Sequence, residues 1–331
     1  MLKIQVQIKT ACLLGRFFCA GRLNSQMSKL KQKGSGANLI KLYIVTLLVV
    51  CLTASVSFAE VHGVSSQQLA TLSKIQGSLT FAVLGDTRSG GEVYHDLAVR
   101  LMEHKPAFVV NTGDVVFMPD EGLWTTFWEL SKPITVPYFF SMGNHDANDL
   151  DNDAIYKEQV ELPGNKLYYS FSAGDSLFVV LDSNVPDQDR KITGEQYAWL
   201  EKTLSTSDKK HKFVFVHHPL YSEKDCGRHY MGCLDKYQQD RDRLAELLKK
   251  NKVDIVFAGH EHLYLRKTVD GITQIITGGG GAPLYTSDEK GGFYHFILVT
   301  VNGNEVKGEV IDNNGKVRDI FVSTSGVYTR R

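Results

Sequence analysis

LTFAVLGD (residues 79–86), AFVVNTGD (107–114), YFFSMGNHD (138–146), KFVFVHHP (212–219) and DIVFAGHEH (254–262) share one pattern. Each is a run of Val, Ile, Leu or Phe of strand length, closed by a polar turn, which reads as a strand buried on both faces. Each also stops on residues that bind metals: Asp86, Asp114, Asn144 with His145, His217 with His218, and His260 with His262. Open α/β sheets gather ligands at the carboxyl ends of their strands, so residues far apart in sequence converge there. Taken singly the signals are weak, because Asp after Gly is commonly a turn or helix-cap residue.

The surrounding chain fits the same scheme. LFVVLDS (177–183) and TQIITGGGG (273–281) supply further strands. Glu92 to His104, Gly194 to Leu204 and Arg241 to Lys250 repeat apolar residues at three and four, as helices do. This alternation predicts an α/β protein with helices layered on sheet. Lys166 to Ser183 reads as two strands joined at Ala173-Gly174-Asp175, and the tail from Gly292 as strands turning at Asn302-Gly303 and Asn314-Gly315, both antiparallel.

With 331 residues, 43% apolar and 22% charged, the chain has an ordinary globular composition. Residues 1–59 differ, holding eight Lys or Arg and no acid. The apolar run from Leu42 to Ala54, with Ser57-Phe58-Ala59 behind it, reads as a signal peptide cut after Ala59, since a membrane anchor needs about 20 apolar residues. Met27 offers an alternative start, and Cys51 lacks the small residue that lipid attachment wants just before it. Residues 60–331 then form one exported, periplasmic or secreted, domain with no linker or repeat. In it 29 basic residues face 37 acidic ones, a formal charge of −8 that disfavours coating nucleic acid. Only Cys226 and Cys233 remain, and an oxidising compartment favours a local disulfide between them over two reduced thiols.

GDTR, GDVV, GNHD, HHP and GHEH, in this order over residues 85–262, resemble the calcineurin-like phosphoesterase superfamily, nearest to its purple-acid-phosphatase-like branch. The resemblance extends over roughly residues 79–300. It implies a four-layer fold, two mixed β-sheets packed face to face with helices outside, and two metal ions at the strand ends. It makes Asp114 the bridge between the ions and gives Asn144, His217 and His260 to the second metal and Asp86 and His262 to the first. His145 would contact the phosphoryl oxygen and leaving group. His217 is chosen over His218 because the family ligand stands two positions before the proline, and strand alternation would turn His218 away. Oxygen and imidazole ligands suit iron, manganese or zinc. The substrate so implied is a small phosphate ester, attacked by water that two cations acidify. No P-loop, nucleophile elbow or cysteine-phosphatase motif competes.

Two positions depart from the pattern. Where the superfamily often has His, two places after the first Asp, this chain has Arg88. Where the purple branch has Tyr, three places after the bridging Asp, it has Phe117. His95 is either a substitute first-metal ligand or a solvated helix residue. Arg88 either grips a phosphate oxygen or pairs with a carboxylate. The segment Tyr221 to Tyr237, with Arg228 and His229, is placed to wall the pocket, whereas Trp124, Trp128 and Tyr285 read as core or rim. A protein that keeps the fold but only binds metal or phosphate is the competing reading, against which stands the full set Asn144, His145, His217, His260 and His262.

Overall fold

The computed structural model describes residues 62–147, 153–323 and 329–330. The basic leader with its apolar run lies outside them, and no helix among the described residues is long and apolar enough to cross a membrane. In chain order the strands are β1 (His62–Gly63), β2 (Leu79–Leu84), β3 (Val109–Asn111), β4 (Tyr138–Phe140), β5 (Val160–Glu161), β6 (Tyr169–Ala173), β7 (Ser176–Val180) and β8 (His211–Val216). They continue with β9 (Ile255–Ala258), β10 (Tyr264–Val269), β11 (Ile272–Thr277), β12 (His295–Asn302), β13 (Glu305–Asp312), β14 (Val317–Ser323) and β15 (Thr329–Arg330). The helices are α1 (Ser66–Leu72), α2 (Gly91–Glu103), α3 (Glu121–Leu130), α4 (Ala154–Gln159), α5 (Gly194–Thr206) and α6 (Gln238–Lys250).

Two mixed sheets carry the fold, as expected. One has the order β15-β14-β13-β12-β2-β3-β4, the other β10-β11-β9-β8-β7-β6, and β1 with β5 makes a small parallel pair. Strands β2, β3 and β4, the last at the sheet edge, run parallel, as do β7, β8, β9 and β11. The antiparallel parts fall where the turn residues put them: β6 and β7 meet across Gly174, and the tail strands pair in succession.

Alternation along the strands makes the layers. Phe213, Phe215 and Phe257 point at the facing sheet, where the Phe81 ring lies 5.2–6.5 Å from theirs, while Val214, Val216 and Val256 pack outward against Leu200, Leu244 and Leu248 of α5 and α6. Truncating one such buried Phe costs about 3–5 kcal/mol, so this aromatic seam holds the sheets together. On the other side Tyr94, Leu97 and Leu101 of α2 and Phe127 of α3 join the main core. Trp124 is wholly buried, within 5.9 Å of the Trp128 ring, and so belongs to the core, as its helical spacing suggested.

Cys226 and Cys233, expected to pair, are both free. Cys226 lines a surface cleft with Tyr264 and Arg318, whereas Cys233 is buried with its sulfur 3.8 Å from the His229 carbonyl. Burial raises both thiols above their usual value.

His295 ties the sheets together beside the site. Its Nδ1 donates to the Phe293 carbonyl at 2.9 Å, and Nε2 accepts from Thr277 Oγ1 of β11 at 3.1 Å. Burial lowers it from 6.5 to about 4. Between those values the unfolded chain takes up a proton that the folded chain refuses, so stability drains away as the pH falls through this window. Asp182, which burial raises to about 6, slopes the other way and cancels when two proteins sharing it are compared. Denaturant unfolding of wild type and His295→Gln from pH 6.5 to 4 should show the wild type losing ground by roughly 1 kcal/mol per pH unit. A constant difference would mean that His295 is not held neutral.

Candidate metal centre

Asp86 follows β2, Asp114 follows β3, and Asn144 and His145 follow β4, all in the seven-stranded sheet. His217 and His218 follow β8, and His260, Glu261 and His262 follow β9, in the six-stranded sheet. The site therefore lies on the seam where parallel strands of both sheets end. The backbone turns abruptly there: Asp86, Asp114 and His260 adopt φ of +57°, +54° and +68°. Non-glycine residues seldom accept this conformation, at a cost of order 1–3 kcal/mol each. The motif glycines permit the crowding. Gly113 has φ +100°, and a side chain on Gly143 would collide with Asp114.

The chain brings two groups of ligand atoms together, Asp86, Asp114 and His262 in one, His217, His218 and His260 in the other, each with its atoms within 4.8 Å of one another. All six are buried. Backbone carbonyls fix the imidazoles. His217 donates Nδ1–H to Thr112 O at 2.9 Å, leaving the Nε2 lone pair 3.2 Å from Asp114 Oδ1 and 3.1 Å from Asn144 Oδ1. His262 donates Nδ1–H to Pro283 O at 2.6 Å, leaving Nε2 3.4 Å from Asp86 Oδ1. In both pairs an imidazole nitrogen faces a carboxylate oxygen, an arrangement that needs positive charge between the atoms; burial works to lower His262, but Asp86 and the Pro283 carbonyl outweigh it and hold it above its usual value. Burial and the neighbouring imidazoles push His218 and His260 well below their usual value, and their Nε2 atoms have no hydrogen-bond partner. Neutral imidazoles and ionised carboxylates are what divalent or trivalent cations require, so the residues present fit two metal ions.

Asp114 holds the centre. Burial works to raise its carboxyl, but His217, His145, the His145 amide and Arg88 outweigh burial and hold it below its usual value. Its Oδ1 accepts the His145 amide at 3.0 Å. The His145 ring donates Nδ1–H to the Phe117 carbonyl at 2.7 Å, so Nε2 is free at the mouth, 3.9 Å from Asp114 Oδ2. Asp146, the last residue of GNHD, accepts the amides of Val115, Val116 and Gly143 and thereby clasps the β3 and β4 turns together.

One expectation changes, and two open alternatives are decided. His218 does not turn away: β8 ends at Val216, so strand alternation no longer governs the next two residues, and His218 Nδ1 meets Ser183 Oγ at 2.8 Å while its ring lies, tilted, 4.4 Å from that of His260. His95 does not reach the first group; it is fixed within α2 with Nδ1 3.1 Å from the Leu130 carbonyl. Arg88 pairs with a carboxylate, Nε lying 3.3 Å from Asp114 Oδ2 and Nη2 3.5 Å from His262 Nε2. Sequence reasoning passed over Glu261, buried between the histidines of GHEH, and made little of His229, whose ring lies 4.2 Å from His260.

Fold and site together describe a metallohydrolase-type centre at the strand ends of a two-sheet α/β sandwich. The family profile of the calcineurin-like phosphoesterases matches residues 79–264, and the chain belongs to that family. It is 30% identical over 205 residues to purple acid phosphatase 23 of Arabidopsis thaliana, covering 50% of this chain and 43% of that one. To a probable glycerophosphodiester phosphodiesterase (GpdQ) of Arcobacter nitrofigilis it is 29% identical over 169 residues, 50% of this chain and 60% of that one. The fold resembles a purple acid phosphatase from yellow lupin seeds, with TM-score 0.65 and 20% identity over 75% of this chain and 54% of that one. The chain spans about half the length of the curated relatives it matches.

Arg88 holds two donors of the first group and adds like charge beside a cation. Arg88→Ala should therefore tighten first-site metal binding about tenfold, roughly the effect of removing one partly buried charge pair. His95→Ala should leave both sites as they are, and Asp114→Asn should weaken both. In wild type, inorganic phosphate should improve first-site filling by drawing the guanidinium away, and linkage demands the reciprocal effect. Calorimetric metal titration with and without phosphate checks all four. Equal, phosphate-independent filling of both sites, unchanged in Arg88→Ala, would contradict this account.

Proposed function

We propose that the mature protein is an exported, dinuclear-metal-dependent hydrolase of phosphate esters, favouring phosphomonoesters and accepting small phosphodiesters. The observation that carries this reading is Asp114, whose two oxygens face the two ligand groups: Oδ1 lies 3.2 Å from His217 Nε2 and Oδ2 lies 3.3 Å from Arg88 Nε beside His262. In this reading Asp114 bridges, Asn144, His217 and His260 hold the second metal, with His218 beside them, and Asp86 and His262 hold the first. Iron, manganese or zinc suits such ligands. Two cations held there would neutralise phosphoryl charge and acidify water for in-line attack.

The chain's own residues supply the rest. Arg88 swings from Asp114 to a phosphoryl oxygen, exchanging one anion for another, and its planar fork suits the task. His145, locked by the Phe117 carbonyl, keeps Nε2 toward the leaving group and delivers a proton to it. The names of the relatives include both a phosphatase and a phosphodiesterase, which supports keeping both ester classes. Export rests on the composition of residues 1–59, and a purified secreted form should begin at Glu60 by mass spectrometry. The second reading, a metal- or phosphate-binding protein without turnover, is favoured by one observation, the Arg88 pairing with first-site donors.

Metal-replete protein assayed on p-nitrophenyl phosphate and bis-p-nitrophenyl phosphate separates the readings: hydrolysis of neither supports the binder. For the enzyme, His145→Ala should keep its metals while turnover of a poorly activated alkyl ester falls about 10²-fold, the usual scale for a lost general acid. Unchanged turnover would remove His145 from the reaction. The iron-loaded protein should also lack the purple colour that an iron-bound tyrosinate gives that branch, because Phe117 has no oxygen to offer. A visible charge-transfer band would show that another tyrosine serves.

A further inference from the structure

Glu261 is a carboxylate with 0% exposure, flanked in sequence by His260 and His262. It accepts two successive backbone amides of the facing loop, Arg228 N at Oε2 and His229 N at Oε1, both at 2.6 Å. This short, charge-assisted pair is an expensive thing to bury for mere packing. It fixes where the next side chains go. His229 lies with its ring 4.2 Å from His260. The Tyr285 ring stacks 4.3 Å from His262, and the Arg228 guanidinium lies 4.4 Å over the same Tyr285 ring. Both neighbours cover a face, so Tyr285 is held between them, and Arg228 stands one ring outward from His262. Arg228 is exposed and makes no ion pair among the described residues, whereas Arg88 is tied to Asp114.

The geometry points to Glu261 as a positioning residue that docks this loop, so that Arg228 forms a subsite beside Tyr285 and His262 for a second anionic group, carboxylate or phosphate, of the substrate. Only the ligand class rests on the hydrolase reading. The docking of the loop stands on the amide contacts alone. Gly227 gives an approach from the other side, since a Cβ there would lie 3.1 Å from Glu261 Oε1 and 2.5 Å from the Glu223 carbonyl oxygen. Gly227→Ala therefore disturbs the same contact without touching the residues between the ligands.

The test uses two pairs that differ by one carboxylate: phenylphosphonate with 4-carboxyphenylphosphonate for binding, and the corresponding aryl phosphates for hydrolysis. Metal-loaded wild type should bind the carboxylated phosphonate about tenfold more tightly, the scale of one charge-assisted hydrogen bond. That ratio should fall to about one in Arg228→Ala, Glu261→Gln and Gly227→Ala, recover in part in Arg228→Lys, and fall no further in the Arg228→Ala, Glu261→Gln double variant, because both act through one contact. In metal-free protein, Lys-C cleavage after exposed Lys224 should quicken severalfold in Glu261→Gln and Gly227→Ala but not in Arg228→Ala. A wild-type ratio of one overturns the subsite. Ratios unchanged in Glu261→Gln and Gly227→Ala while Arg228→Ala collapses, or a Glu261→Gln protein that loses metal and both ligands equally, overturns the positioning role. Failure to hydrolyse either phosphate with the phosphonate preference intact overturns the hydrolase reading and leaves the subsite standing.

Discussion

Imidazole nitrogens aimed at carboxylate oxygens organise this protein. Nε2 of His217 faces Asp114, and Nε2 of His262 faces Asp86, because in each imidazole a backbone carbonyl has claimed the other nitrogen's proton. Buried at 0–2% exposure, the two carboxylates cannot turn to water, and an uncompensated charge at that depth costs several kcal/mol. The chain offers partial relief through backbone amides: Asp86 takes the His260 amide, Asp114 that of His145. Arg88 supplies one guanidinium. What is still lacking is positive charge between the ligand groups, and this deficit is what gives the centre its affinity for cations.

Holding such an arrangement demands a rigid frame. The Phe81 seam locks the facing sheets, so β2 and β3 deliver their ends to the same place as β8 and β9, and the Thr112 carbonyl that orients His217 is reached across that seam. The left-handed turns at Asp86, Asp114 and His260 aim the side chains back over the strand ends. Several kcal/mol of backbone strain persists because the surrounding packing leaves no alternative, a pattern common where function sets geometry. Order runs from apolar strands to strained turns to oriented lone pairs, and each stage presupposes the one before.

How far the sequence could be read follows the same order. Apolar runs closed by Gly-Asp, Gly-Asn and Gly-His announce strands and polar ends together, so the convergence of Asp86, Asp114, His217, His260 and His262, with Asn144 beside His217, was legible, as were the antiparallel hairpin at Gly174 and the tail strands. His218 was misread because alternation was carried past Val216, beyond the last strand residue. His95 was a candidate because residue count alone allowed it near the centre, whereas helical register turns it to the Leu130 carbonyl. The expected disulfide is not formed here: Cys226 lines a surface cleft while Cys233 is buried beside the His229 carbonyl, and spacing alone does not encode that difference. Glu261 was silent for a different reason: its partners are amides, and an amide is present at almost every position of a chain.

Specificity and ligation arise differently in this fold. Ligands must have particular side chains, and so they leave motifs. A wall residue needs only to be carried by a loop that something else holds down, and here the holding is done by Glu261 from within the GHEH motif, through the backbone of residues 228 and 229. Because the grip is on main-chain amides, the side chains above it can vary without loosening the loop. Arg228 and His229 are in that sense interchangeable faces on a fixed mount, while Tyr285, stacked on His262, provides the surface against which whatever stands at position 228 is set. An arrangement of this kind lets substrate recognition change by single substitutions while the imidazoles and carboxylates beneath keep their aim.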